Sequence, residues 1–581
     1  MSRRNYKSRF SQIHSMTIVD QNMELFVQMA KSGKFLAVFL VSCLLAGSLA
    51  AQDQWENEGE LESVEIEVIN QRQIKLPRAN RNFEKIAPRP SEPLKPPIQY
   101  EFRPFTFQAR QINPSIRPLK IRQSDPSTVS GGYLSAGYGN YASPYLEGFI
   151  NSVRDKNKLV GAHGLFSSSD KGPVDGKNSG SGLSMISLYG KSFNEYISLS
   201  GDAGFENRTT HFYGYPEGAA VTARDIKQSY NVFSVKGALA SARKTDFSYE
   251  LGAGLSYLAD KFDARESEVD LDFKSSYRFG ENTALGINAG YALINRKDAL
   301  LEASPRSLFV VNPDYEFLPV ENLKVRAGIV AAIENDSIDA RNVHAYPDVR
   351  ISYPVSPSVQ LVASLTGGIE KVSLQSLSNE NIWIQANIPV FHTNKLYDLQ
   401  AALNTKIGNK VAFSGGFSLA SLKNWYFFVN DPSDASRFIP VYDDKARIRT
   451  NFFASLGFAR AENVNILLRG DLYSYSKDNV GEAWHRPGYK FTTDASFNIV
   501  RKILLDVGVI AQGGMVALDP ETSAIVKLDP ALDLNLRTEY MMSETFSIFV
   551  QLNNLTSNQY PLFLNYPVRG FQALGGITWT F

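Results

Sequence analysis

Leu532-Asp533-Leu534-Asn535-Leu536-Arg537-Thr538-Glu539-Tyr540 is the stretch that decides how this chain folds. In an extended chain, side chains point alternately to opposite faces. Leu532, Leu534, Leu536, Thr538 and Tyr540 therefore make one mostly apolar face, and Asp533, Asn535, Arg537 and Glu539 the other. Val269, Leu271, Phe273, Ser275 and Tyr277 divide in the same way from Asp270, Asp272, Lys274 and Ser276. So do Tyr397, Leu399, Ala401 and Leu403 from Asp398, Gln400, Ala402 and Asn404. A strand with lipid on one face and water on the other must segregate its residues like this. A soluble β-sandwich also alternates, so periodicity alone leaves that fold open.

Link lengths separate the two. A transmembrane barrel carries tight turns at one rim and long loops at the other, in strict alternation. Tight links fall near residues 541–543, 500–502, 459–461, 408–409, 356–357, 320–321, 280–281, 244–245, 193–194 and 155–156. Longer excursions fall at 206–227, 371–395, 422–445, 476–487 and 515–528, and one short link, 139–144, lies at the long-loop end. The pattern predicts an all-β fold, a transmembrane antiparallel β-barrel of about 22 strands at roughly 20 residues per strand and connection. An even count puts both ends of the wall on the same, periplasmic, side of the outer membrane.

What precedes the barrel is of another kind. Residues 35–51 (FLAVFLVSCLLAGSLAA) follow Lys31 and Lys34 and end in small residues, the layout of a secretory signal. Leu40 to Cys43 also has the look of a lipobox, although the residues after Cys43 stay apolar. Residues 52–127 are polar and interrupted by Pro77, Pro88, Pro90, Pro93, Pro96 and Pro97, which suits an extended periplasmic arm. Three segments are thus expected: a signal with an N-terminal extension (1–51), a Pro-rich arm (52–127) and the barrel (128–581).

Composition fits this reading. The formal net charge is +1, which gives no electrostatic reason to expect nucleic acid as a partner. With 43% hydrophobic residues the chain is too polar for a helical membrane bundle but not for a barrel, whose every second residue faces water. The single cysteine cannot form an internal disulfide.

Gly131 to Tyr141, followed by Tyr145, Leu146, Glu147 and Gly148, resembles the short opening hairpin of the TonB-dependent outer-membrane receptors and transporters. Leu552, Asn553, Asn554, Leu555 and Thr556 through Tyr560, then Arg569, Gly570, Phe571 and the last four residues, are similar to that family's closing strands. Glu62, Val64, Ile66 and Val68 lie in a segment resembling a TonB box, which pairs with the energy-coupling partner by strand addition. Ile577, Trp579 and Phe581 resemble the C-terminal signal that outer-membrane proteins present to the barrel assembly machinery. The resemblance implies nutrient binding or transport, with membrane lipid, the assembly machinery, and TonB or a surface lipoprotein as partners. One departure is large: the family fills its barrel with a plug domain, and the arm here is too short and too Pro-rich to be one. Loops, a threaded arm or a partner must then close the pore. The alternative is a plug-less barrel that serves as a scaffold or assembly subunit.

No catalytic set, metal site or cofactor is read from the sequence. His163, His211, His344, His392 and His485 are isolated, and no cysteine pair or H-E-x-x-H spacing occurs. Inward charges such as Arg469, Asp471, Arg537 and Glu539 hydrate or cross-link a lumen. Trp383, Phe391, Trp425, Tyr426, Phe427 and Phe428 are candidate surface-loop binding aromatics, with an interfacial girdle as the other reading.

Overall fold

The computed structural model describes residues 131–581, apart from 153, 154, 156, 244, 337–341, 461, 462 and 501. The export signal, the Pro-rich arm and the segment at 62–68 lie outside the described residues.

The wall is a 22-stranded antiparallel sheet. Each strand pairs with the next along the chain, beginning with Gly132–Gly139 against Ser143–Asn151. The last strand, Gln572–Thr580, returns to the first, setting Trp579 opposite Leu134 and Ile577 opposite Ala136. Closure leaves no ladder edge bare, which is the condition for a sheet to stand in lipid. Wall strands reach 15 residues, as in Ile197–His211, beyond the roughly 9 to 11 needed to cross a bilayer.

Each tight link expected from the sequence falls between consecutive wall strands. Thr393–Ile407 turns into Val411–Lys423 through Gly408, whose φ of 59° is costly for most other residues. The long-loop rim differs from expectation at one place: residues 261–264 make a second short link there, between Phe247–Asp260 and Arg265–Arg278. Asp260 closes that turn, its carboxylate accepting the backbone N–H groups of Phe262 and Ala264 at 2.8 Å each.

The two faces of the wall obey different chemistry. Ile186, Phe205, Phe233 and Tyr257 are neighbours across four successive strands, and all are exposed. A soluble monomer seldom bares so long an apolar ladder, whereas lipid requires one. Around the tight-turn rim Phe193, Tyr196, Phe247, Tyr277, Phe279 and Trp579 are exposed, forming an interfacial aromatic girdle. Inside, charges neutralise each other between strands and along them. Arg326 donates two bonds to Asp314 (2.7 and 2.6 Å), and Asn288 donates a third (3.1 Å). Arg469 binds Asp471 at 2.8 and 2.7 Å, and Arg537 lies 4.3 Å from the centre of the Phe549 ring.

A charge placed on the outer ladder should therefore cost far more than one placed a residue away on the inner face. Phe233→Arg is expected to destabilise the inserted barrel by about 2 kcal/mol or more, and Ser234→Arg by less than about 1 kcal/mol. Reversible urea unfolding from bilayers measures the difference.

Candidate functional site

Loops at the long-loop rim do not stand free. They converge across the mouth of the barrel and bury one another. Residues 212–226 follow the strand Ile197–His211, residues 371–392 follow Val359–Glu370, and residues 554–571 precede the closing strand. Residues 424–446 carry a hairpin of their own, Tyr426–Asp431 against Asp434–Tyr442. Three separate stretches of the wall send out these loops, yet Phe212, Tyr213, Leu377, Trp383, Ile384, Phe428, Phe438, Phe563 and Tyr566 belong to one buried core.

Trp383 holds the centre of it. Its ring lies 4.3 Å from that of Tyr566, 5.7 Å from Tyr213 and 6.0 Å from Phe563. Its indole N–H donates to Thr210 Oγ1 and to the His211 carbonyl, both at 3.1 Å. Tyr213 donates to the Pro567 carbonyl at 3.2 Å, and Tyr566 to the Ser436 carbonyl. Each large side chain so buried contributes about 2 kcal/mol, enough together to hold the loops as a lid over the lumen.

The wall anchors this lid through polar contacts. The helix Leu374–Glu380 opens with a capping box in which Ser376 N–H donates to Ser373 Oγ (3.2 Å) and Ser373 N–H to Ser376 Oγ (2.8 Å). Glu266, from the strand Arg265–Arg278, receives the N–H groups of Leu374 (2.8 Å) and Gln375 (3.0 Å), placing a carboxylate at the positive end of the helix. Lys371 joins Glu268 and Asp270, and Arg208 donates to the Ser378 carbonyl at 2.9 Å. Arg306 bridges Asp336 (2.7 Å) and the Val372 carbonyl (2.9 Å).

A neighbouring core gathers Trp425, Phe427, Val429, Ala483 and Trp484. Beside it Arg447 and Asp443 form a fully buried pair at 2.6 Å, with the guanidinium 4.8 Å from the Phe427 ring centre. His485 links the two regions: its Nδ1 lies 2.9 Å from the Phe428 carbonyl, and its Nε2 accepts the Leu564 N–H at 3.2 Å. These partners require a neutral ring that donates from Nδ1. Burial pushes His485 down to about 4, against the pull of the Phe428 carbonyl. Burial likewise pushes His392 down to about 4, with Asp336 only partly offsetting it, and its Nδ1 accepts the Val372 N–H at 3.1 Å.

The structure corrects the premise on which the loop aromatics were singled out. Trp383, Trp425, Phe427 and Phe428 are buried, between 0% and 8% exposed, so they are neither solvent-facing binders nor girdle residues. Tyr426 and Phe391 are half-buried; Tyr426 donates to Glu380 at 2.6 Å, and Phe391 packs edge-on against Tyr442 at 5.2 Å. Tyr213, Phe438, Phe563 and Tyr566 complete the lid and were missed, and His485 was read only as isolated, because no local pattern marks a contact between loops so distant in the chain. Ile577, Trp579 and Phe581 stand exposed on the outer face of the closing strand. No grouping of three metal-ligating side chains occurs among the described residues.

Because opened loops bind protons that packed ones refuse, the lid loses stability as pH falls. From the ordinary histidine value of 6.5 down to about 4, His392 and His485 should each cost it roughly 1 kcal/mol per pH unit, and the full stability is present above 6.5. Once corrected for the slower intrinsic exchange at low pH, hydrogen-exchange protection in residues 424–446 and 554–571 should be weaker at about pH 5 than at about pH 8. Replacing Trp383 by Ala should cost the lid about 3 to 5 kcal/mol and raise single-channel conductance, measured in planar bilayers.

No family model and no curated protein matches this chain. Solved structures do. The siderophore receptor PirA of Acinetobacter baumannii superposes with a TM-score of 0.59 at 10% identity, over 78% of this chain and 80% of its own. The FrpB iron transporter of Neisseria meningitidis gives 0.62 at 8% identity over 78% and 82%. The ferric-catecholate import receptor Fiu of E. coli K12 gives 0.57 at 8% identity over 78% and 82%. The chain has the 22-strand barrel fold of the TonB-dependent siderophore and iron receptors.

Proposed function

We propose that this protein is an outer-membrane receptor that binds a nutrient at its long-loop face and passes it through the lumen when the loop lid opens. The observation that carries this reading is a closed 22-strand wall with an apolar outer face, whose long loops pack into one aromatic core at the same rim. A seal made of converging aromatic side chains and neutral histidines can part and close again, which suits gated passage better than a permanently open pore. Ferric chelates are the first solutes to test, since the solved structures that share the barrel include receptors for siderophores and iron. The long loops then face the medium and both ends of the wall face the periplasm. There Glu62, Val64, Ile66 and Val68 would offer TonB an extended segment for strand addition. Ile577, Trp579 and Phe581, bare on the closing strand, would be read by the assembly machinery before the barrel shuts.

Reconstituted protein should bind a ferric chelate, and removal of the gene should reduce uptake. Deleting residues 62–68 should abolish energised uptake while leaving binding unchanged. If the reconstituted protein neither binds nor conducts any solute and its loss leaves uptake untouched, the reading fails. A stoichiometric, solute-independent complex with another protein would then favour a scaffold.

A further inference from the structure

Arg569, in the loop before the closing strand, ties that loop to the rim of the wall. Its Nη1 donates to Ser169 Oγ at 2.7 Å and to Gln572 Oε1 at 3.2 Å, and its Nη2 donates to Ser181 Oγ. Ser169 and Ser181 sit directly opposite each other, where Lys158–Ser169 ends and Ser181–Phe193 begins. Ser169 is buried, on the face of its strand opposite to exposed Phe166, so the guanidinium lies on the lumen side. All three acceptors are neutral. Among the described residues every other buried or half-buried arginine has a carboxylate partner, as Arg306 has Asp336 and Arg486 has Glu380. At Arg569 burial lowers the pKa, and the groups that pull the other way are the phenols of Tyr213 and Tyr141.

Donors outnumber acceptors around this cation. A guanidinium carries five N–H donors and a serine one O–H. Ser143 donates to the Asn140 carbonyl at 2.7 Å, so the 2.6 Å bond between Ser143 and Ser169 uses the hydrogen of Ser169. Two N–H groups of Arg569 and the O–H of Ser181 then find no acceptor among the described residues. Gln572, whose Oε1 is held by Arg569, keeps its Nε2 buried without a partner. An unmet buried N–H and an uncompensated charge each cost stability.

We propose that these donors hold a small inorganic oxyanion of the phosphate or sulfate type, which clamps the closing loop to the wall. The donors come from a loop and two strand ends. A tetrahedral ion, with four oxygens pointing apart, can reach all of them at once, whereas a carboxylate carries both of its oxygens in one plane. Its charge supplies the missing counter-ion. Arg569 and Ser181 are half-buried and Ser169 is buried, which leaves access for an ion but not for a bulky solute, so the site stands apart from nutrient binding. An ion bound only while the loop is down stabilises the closed lid.

The test is calorimetric titration of the folded, full-length protein with inorganic phosphate and with sulfate against a chloride background, together with hydrogen exchange in residues 554–571. Wild type should bind at least one of the two saturably at millimolar concentration or below, and the bound ion should raise protection of that loop. Arg569→Gln should weaken binding by about a hundredfold or more, and Ser181→Ala and Gln572→Leu each by about tenfold, as expected for the loss of hydrogen bonds to a charged group. Lys410→Gln at the opposite rim should behave as wild type. Heat-dependent mobility on gels reports whether each variant is folded. Should Arg569→Gln fail to fold, the serine and glutamine variants decide, since they leave the guanidinium in place, and unchanged affinity in both overturns the proposal. So does the absence of saturable binding to wild type, binding that survives Arg569→Gln, or equal protection by chloride. Displacement of the ion by a ferric chelate overturns it as well, because the donors then belong to the nutrient.

Discussion

Every backbone N–H and C=O that meets hydrocarbon must find its partner within the protein, because lipid supplies none. That constraint fixes the rest of this structure. It forces the sheet to close, which is why Gln572–Thr580 returns to Gly132–Gly139. Closure in turn divides the side chains into two populations one residue apart, apolar outward and polar inward, and leaves a wide lumen that needs sealing. The ladder of Ile186, Phe205, Phe233 and Tyr257 and the inner pair of Arg326 with Asp314 are two consequences of the same requirement.

The seal is where this barrel shows its own solution. Within the described residues the mouth is covered by loops, and what holds them is ordinary protein-interior physics: packed aromatic rings around Trp383, a helix whose N-terminus meets Glu266, and buried ion pairs such as Arg447 with Asp443. Burying a charged pair stabilises little by itself, and Arg447 reaches the next loop through its bond to the Gly481 carbonyl. The neutral rings of His392 and His485 tie the lid to pH. Opening such a lid would cost only the contacts between loops and would leave the wall intact.

The wall was legible in the sequence because its rule is local. The alternation in residues 532–540 and the tight links between strands follow from neighbours two residues apart, and they gave the strand number and the closing strand. The turn at 261–264 escaped notice since its signal is a single aspartate, Asp260, accepting two N–H groups. The lid was not legible for a deeper reason. Trp383 is apolar and lies in a loop, which reads as an exposed binder, yet its partner Tyr566 is far along the chain and only the closed barrel brings them together. Local periodicity carries no information about which loops will meet.

The central claim is lipid on one face and water on the other, and it can be measured position by position. Spin labels placed singly at residues 231–237 in the reconstituted barrel should show oxygen accessibility that rises and falls with period two, highest at Phe233 and Val235, while a water-soluble relaxation agent follows the opposite phase at Ser234 and Lys236. Uniform accessibility to the water-soluble agent along that strand, or no alternation at all, would contradict the account.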